Sequence, residues 1–419
     1  MPARRTSRRR RLLYVLVVIA MALALDFAVG SGMNSEDGRR RIARGEKVSD
    51  AAAETIHPFL GWVMNPQVAV ASDHFGKMVP VNQLGFRDSS EGVYQRSDDV
   101  FVLGIAGGSV AFQVAIQGAE ILKRDLEALP GLQGKRVQIV TLAASGYKQP
   151  QQLHTLAYFY ALGAEFDAVI NIDGYNEFAL GICENVRGGT ALAYPRAWHA
   201  RSVLLEDPKT SIPAFELLRL RAHRQSMARR LENSIFRNSA VCNSLWKYRD
   251  TRAKDELNDL GRRLLSAKKT SFVNHGPKPD YPDDDAAIAA AVELWRSCSV
   301  QMRHLCAGND TLYLHVLQPN QHFSGSKTLS EFETKNCFAP REALGKVVDR
   351  AYPLAVTASS GLAADDVHFL DATMVFKDVS ESVYRDPFCH YNEFGNELLT
   401  RLITSKLSVM LSEPNTKQP

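Results

Sequence analysis

Along most of this chain the apolar positions fall either into short, nearly unbroken runs or into helical stripes, and the two kinds alternate. Residues 100–105 form one run, which ends in Ala106-Gly107-Gly108-Ser109. Residues 137–142, 168–172 and 312–317 form three more. Runs this short, bounded by turn residues, suit strands buried on both faces. Helical stretches separate the first three. Val114, Ile121, Leu122 and Leu126 line one side of the first stretch, and Leu153, Leu156, Phe159 and Tyr160 line the second. Gly163 stands where the second helix should end. Strands alternating with helices predict an α/β fold, a parallel sheet covered on both faces in three α/β/α layers.

Between about 180 and 305 the alternation stops, and the pattern predicts a helical insertion. Residues 214–236 carry Met227, Leu231 and Ile235 on one face, and 250–268 carry Leu257, Leu260 and Leu264. A third helix is predicted over 286–305, with Asp283, Asp284 and Asp285 at the end where negative charge suits the helix dipole. After the fourth run, 366–370 reads as a fifth strand and 393–407 as a closing helix. Residues 57–87, rich in Gly, Pro and aromatics, read as irregular but ordered. Residues 31–56 read as a linker and 411–419 as a tail, so the main domain is expected over 57–410.

The first thirty residues follow a different logic. Arg4, Arg5 and Arg8 to Arg11 precede fourteen uncharged residues, 12–25. Past Asp26 to Val29 the apolar run reaches eighteen, close to the roughly 20 that a bilayer core requires. Arginines before an apolar run describe an export signal, with the arginines held in the cytoplasm and the rest outside. Residues 1–30 are therefore expected to anchor the chain in the inner membrane through 12–29, leaving the main domain periplasmic. Cleavage after Ala28-Val29-Gly30, which would release a secreted protein, is the alternative.

Composition changes the picture only through charge. The 419 residues are 45% hydrophobic, as in ordinary globular chains, and the formal net charge is +4. Six of those charges belong to the leading arginines. Residues 214–269 hold 14 Lys and Arg against six Asp and Glu, a net +8, so the remainder is at net −10. No nucleic-acid partner is expected of such a body. Trp246, among the basic residues, suits either an anionic lipid surface or a solvated helix face. The six cysteines form no CxxC pair, and an even number in an exported chain leaves disulfides open, with Cys298 and Cys306 close in sequence. His315, His322 and His368 lack metal-ligand spacing, and His315 in an apolar strand reads as a satisfied core residue.

The candidate chemistry lies at the carboxyl ends of the predicted strands, where open α/β sheets place their sites. Ser109 follows the first strand at a tight turn into a helix, where a developing negative charge is stabilised. Gly146 follows the second strand and Asn176 the third. A backbone N–H at Gly146 and the amide of Asn176 can then face the same oxygen as the Ser109 N–H. Near the C-terminus, Asp386 precedes His390 just before the last helix, a carboxylate and a base in one segment. The glycines at 104, 107 and 108 do not match the dinucleotide-binding spacing.

Ser109, Gly146, Asn176 and His390, in that order, resemble the SGNH hydrolase superfamily, relatives of the GDSL esterases and lipases. Residues 81–87 (VNQLGFR) and 316–320 (VLQPN) are similar to segments of its bacterial, membrane-anchored members. The resemblance spans about 57–405 and implies a flavodoxin-like sandwich. It also implies a serine esterase: Ser109 as nucleophile, His390 as base, Asp386 as orienting acid, and an oxyanion hole of Ser109, Gly146 and Asn176. It implies no metal or organic cofactor. Gly108 replaces the family's Asp before the serine, and Asp386 lies four residues ahead of His390 rather than three, which leaves Asp378 or a Ser–His dyad open. An α/β-hydrolase fits less well, because position 111 is Ala where its nucleophile motif has Gly. The compartment points to an acyl ester of envelope glycan or lipid. An O-acyltransferase on the same Ser–His site and a non-catalytic envelope assembly protein are the alternatives.

Overall fold

The computed structural model describes residues 3–32, 54–67, 70–72, 78–88, 92–202, 208–266, 272–338 and 342–412. Most of the expected linker 31–56 and the end of the tail lie outside them. In chain order the strands are β1 (Glu54–His57), β2 (Gly61–Met64), β3 (Val70–Ser72), β4 (Met78–Pro80), β5 (Val100–Gly107), β6 (Arg136–Ala143), β7 (Ala168–Asp173), β8 (Leu312–Leu317) and β9 (His368–Asp371). The longer helices are α1 (Ala3–Gly32), α2 (Ser109–Gln117), α3 (Ala119–Glu127), α4 (Gln151–Ala161), α5 (Pro208–Glu232), α6 (Ala240–Ser266), α7 (Asp284–Ala307), α8 (Glu342–Ser359) and α9 (Glu393–Ser412). The chain divides into two compact units, residues 1–51 with 203–268, and residues 52–202 with 269–419.

The larger unit is built on β5 to β9, paired in the order β6-β5-β7-β8-β9 with every neighbour parallel. Counted by first appearance that is 2-1-3-4-5, the order of doubly wound flavodoxin-like sheets. The layering follows from side-chain alternation along each strand. Val102, Val140, Leu142 and Val169 pack on one face with Leu156 and Phe159 of α4, Trp295 of α7 and Tyr352 of α8. Leu103, Ile105, Ile139 and Ile170 pack on the other with Val114 of α2, Leu122 of α3 and Leu399 and Ile403 of α9. Both faces are covered, so the strands carry no polar alternation, as the sequence suggested.

Several expectations shift in detail. The first helical stretch is two helices, broken at Gly118, where a side chain would meet Thr400 Oγ1 at 2.5 Å as α9 crosses it. The fifth strand starts two residues later than 366. Residues 180–305 are not one insertion. Only 203–268 leave the body, whereas α7 packs on the sheet, its end capped by Asp283 Oδ1 accepting from Ala286 N at 2.9 Å. In the smaller unit α5 ends at Glu232 and α6 begins at Ala240, ten residues before 250, so Ile235 sits in the turn between them and is 91% exposed. All six cysteines are free thiols, Cys298 and Cys306 included. Among the described residues no helix is long and apolar enough to cross a membrane.

Residues 78–88 protect the exposed edge of the sheet, which β6 would otherwise offer to other chains. Asp88 Oδ2 accepts from Thr141 N of β6 at 2.7 Å, and Asn82 Oδ1 folds the loop by accepting from Leu84 N and Phe86 N. Phe86 is wholly buried against Tyr147 and Phe159, and Tyr147 donates its hydroxyl to Trp62 O at 2.6 Å. The irregular segment thus braces the loop that carries Gly146.

Candidate active site

The strand order reverses between β5 and β7, and the loops after β5, β6 and β7 meet at that crevice. Two glycines make the first turn possible. Gly107 sits at φ +139, where a side chain would strike Ile172 O at 2.1 Å, so only glycine lets β5 approach β7 there. A side chain on Gly108 would reach Asn176 Nδ2 at 2.3 Å. Ser109 then opens α2 as its first residue, with its backbone N–H among those left unbonded at a helix start.

The other two loops are tied to it. Ala144 N donates to Gly107 O at 3.3 Å, and Asn176 Nδ2 donates to Tyr147 O at 2.8 Å. That bond uses one amide hydrogen of Asn176 and leaves the second for another acceptor. Gly146, at φ +88, turns the loop between these ties. Glu177 fastens the construction from behind: Oε2 accepts from Gly174 N at 2.8 Å, and Oε1 from Gln149 N at 3.1 Å and Gln152 Nε2 at 2.8 Å. Burial, and then the neighbouring Asp173 carboxylate, push the Glu177 acid up to about 8 against the pull of the backbone N–H donors. Asn176 begins a wide helical segment, Asn176–Val186, whose i→i+5 bonding is of the kind that gathers at functional sites.

The C-terminal segment completes the set. His390 Nε2 lies 2.7 Å from Ser109 Oγ, and His390 Nδ1 lies 2.6 Å from Asp386 Oδ2. Ser109 and His390 are only 8% and 7% exposed. A carboxylate can only accept, so Nδ1 carries a proton, and the neutral tautomer of such a ring leaves Nε2 to accept from the serine hydroxyl. The partner of His390 is thus Asp386 and not Asp378. The four-residue spacing is absorbed by Cys389, which adopts φ +64 and turns His390 back over the acid. Asp386 Oδ1 also accepts from Phe388 N at 2.8 Å. Burial alone would raise the Asp386 carboxyl, but the hydrogen bond and charge of His390 and the backbone donors hold it below its ordinary value. Next along the chain, Tyr391 donates to Pro319 O at 2.7 Å, and Asn392 caps α9 by accepting from Gly395 N at 2.9 Å.

All five sequence candidates, Ser109, Gly146, Asn176, Asp386 and His390, therefore belong to one site. Arg196 was not among them. A side chain on Gly146 would meet Arg196 Cδ at 3.1 Å and Nη1 at 3.3 Å, so the guanidinium stem roofs the loop. Glu184 holds it by a fork, Nε to Oε2 at 2.7 Å and Nη2 to Oε1 at 2.9 Å. The segment carrying Arg196 is pinned by Asn185 Nδ2, which donates to Ala191 O and Tyr194 O, and by Lys148 Nζ, which donates to Leu192 O. Burial brings the Lys148 ammonium down to about 8, opposed by the charge of Glu177. Arg196 follows Gly146 by fifty residues, and no local pattern marks it. A second Ser–His–Asp arrangement also exists: His315 shares its ring nitrogens with Ser299 Oγ at 2.7 Å and Asp173 Oδ1 at 2.8 Å. All three are fully buried beside Trp295, whose Nε1 donates to the same Asp173 oxygen, so His315 is the satisfied core residue that its strand suggested.

No protein-family model matches this chain, and no curated protein matches it.

Proposed function

We propose that this protein is a serine acyl hydrolase of the SGNH type, acting on an ester-linked acyl group. The observation that carries the reading is the unbroken hydrogen-bonded line from Ser109 Oγ through His390 to Asp386, set at the switch point of the sheet. Ser109 Oγ attacks the acyl carbon as its proton passes to His390 Nε2. Asp386 holds the ring in the tautomer this needs and stabilises the imidazolium that forms. The N–H groups of Ser109 and Gly146 and the second amide hydrogen of Asn176 receive the oxyanion. His390 then returns the proton to the leaving alcohol. Water, activated by the same nitrogen, releases the acyl group and regenerates Ser109. A sugar hydroxyl in place of that water would make the protein an O-acyltransferase, which product analysis with and without a glycan acceptor distinguishes.

The tightness of the Ser109–His390 contact supports catalysis over a purely binding role. A serine-reactive phosphonate labels the wild type and spares Ser109→Ala. No labelling of either would leave a non-catalytic envelope protein as the reading.

The compartment belongs to the same proposal. The run 12–29 anchors the chain, with the arginines in the cytoplasm and the hydrolase periplasmic. Leu13, Tyr14, Leu16, Val17, Val18, Met21, Leu23, Leu25 and Phe27 of α1 are all exposed, a broad apolar arc that suits lipid, and Asp26 lies outside that arc. The side chains of Leu12, Val15 and Ile19 in that run are outside the described residues.

A further inference from the structure

The smaller unit holds a feature that ester hydrolysis does not use. Asp26 is the one acid in the apolar run, and it does not point into lipid unaided. Its Oδ1 accepts from Ser239 Oγ at 2.6 Å and from Val241 N at 3.0 Å. Ser239 Oγ in turn accepts from Cys242 N at 3.2 Å. Two oxygens thus cap the N-terminus of α6, where negative charge is favoured. Gly30 packs there as well, with room for a side chain to come only 3.4 Å from Ala240 Cβ. The turn between α5 and α6 is therefore fastened to the last turns of the apolar run. At 1.5 Å per residue, eighteen residues span about 27 Å, and Asp26 lies about 4.5 Å short of the outer end.

Among the small polar residues of that turn, and on the helix ends beside it, apolar and basic side chains are exposed together. Ile235 and Phe236 project from it, 91% and 57% exposed, and Leu245 and Tyr248 are exposed on the first turns of α6. Around them Arg229, Arg230, Arg237, Lys247 and Arg249 are all exposed. The basic charge is local. Residues 229–249 carry five Lys and Arg to one acid, whereas 250–263 carry four of each. An open groove of about 590 Å³ beside α5 has Arg229 and Arg230 in its wall.

We propose that the α5–α6 turn is an interfacial anchor: Ile235 and Phe236 enter the bilayer surface and the surrounding cations bind anionic phospholipid headgroups. The proposal rests on α1 being the membrane anchor, because that contact sets the turn at headgroup depth. Apolar side chains ringed by Lys and Arg are the pattern that binds anionic lipid surfaces. A protein partner would have to reach the same narrow layer.

The test uses the full chain with Ile235→Cys in a Cys183→Ser, Cys242→Ser background, labelled with the fluorophore NBD and reconstituted into vesicles. Vesicles of phosphatidylcholine alone are compared with vesicles containing phosphatidylglycerol. NBD emission shifts to the blue in the anionic vesicles. The shift is lost in Arg229→Glu/Arg230→Glu/Arg237→Glu, and it shrinks with added salt in the unreversed protein, so the result does not depend on that variant folding. Extraction of the chain from vesicles at alkaline pH would overturn the anchor and this inference with it. A chain that resists extraction while the probe stays water-exposed in both lipids would overturn the inference alone. A shift that follows protein density rather than lipid charge would put a second copy of the chain on the surface and also overturn it.

Discussion

Gly108→Ala separates the chemistry of the site from its stability. Gly108 sits at φ −88 and ψ −151, extended backbone that alanine also adopts, so the substitution introduces no backbone strain. The new methyl would lie 2.3 Å from Asn176 Nδ2, inside the 3.0 Å below which real Cβ contacts essentially do not occur. That nearest atom ends a short, rotatable side chain that can swing aside, and the backbone Tyr147 O, 3.3 Å from the methyl, has to give by only a few tenths of an ångström. What is lost is the 2.8 Å bond from Asn176 Nδ2 to Tyr147 O, and with it the aim of the second hydrogen. One hydrogen bond contributes about 1 kcal/mol to stability. One oxyanion donor contributes roughly 10²–10³ in kcat. Gly108→Ala should thus unfold close to the wild type in denaturant, yet hydrolyse p-nitrophenyl acetate roughly 10²–10³ more slowly. Asn176→Ala should lose a similar factor. Because both act through the same amide, the double variant should lose no more than either alone. A Gly108→Ala enzyme at the wild-type rate, or a double variant whose loss is the product of the two, would falsify the assignment of Asn176 as an oxyanion donor.

Three further outcomes follow from the site. Asp386→Asn presents an N–H to His390 Nδ1 and favours the wrong tautomer, so kcat should fall by roughly 10²–10⁴ with little change in KM; an undiminished rate would reduce the site to a Ser–His dyad. Arg196→Ala removes the roof over Gly146, and the kcat/KM ratio for butyryl over acetyl esters should rise about tenfold; an unchanged ratio means Arg196 does not limit acyl length. Glu177 is raised in the folded chain, so the native state holds a proton that the unfolded state has released between about pH 4.5 and 8. Stability from this group is therefore present at low pH and lost as pH rises through that window. Thermal melts of Glu177→Gln should show a smaller fall from pH 5 to pH 8 than the wild type, whatever their absolute values, and an equal fall would place the carboxyl in its ordinary range.

Much of the α/β body was legible because burial on both sheet faces leaves a plain signature. Strands β5 to β8 are apolar runs with turn residues after them. Gly163 ends α4 as expected, donating to Tyr160 O at 2.9 Å while Ala164 N reaches Phe159 O at 3.0 Å. Helical boundaries in the smaller unit were not legible. Charged side chains there blur the stripe that burial would sharpen, and the true break at 233–239 is marked by small polar residues inside a continuing periodicity. The split of 180–305 was equally hidden, because a helix that leaves the body and a helix that packs on the sheet both alternate apolar and polar positions.

The chain order Ser109, Gly146, Asn176, His390 follows from local constraints, since each residue sits where a strand ends or a helix begins. Those constraints act over a few residues, so sequence alone determined which loops carry polar groups at the carboxyl edge of the sheet. Whether the groups meet was decided by pairings far apart in the chain. β5 is set beside β7, Cys389 in its left-handed turn swings His390 over Asp386, and fifty residues after Gly146 a pinned loop brings Arg196 above it. The same division governs the N-terminus. Its apolar run is written in composition, but the capping of α6 by Asp26 spans more than 200 residues, and only the folded chain brings those atoms to 2.6 Å.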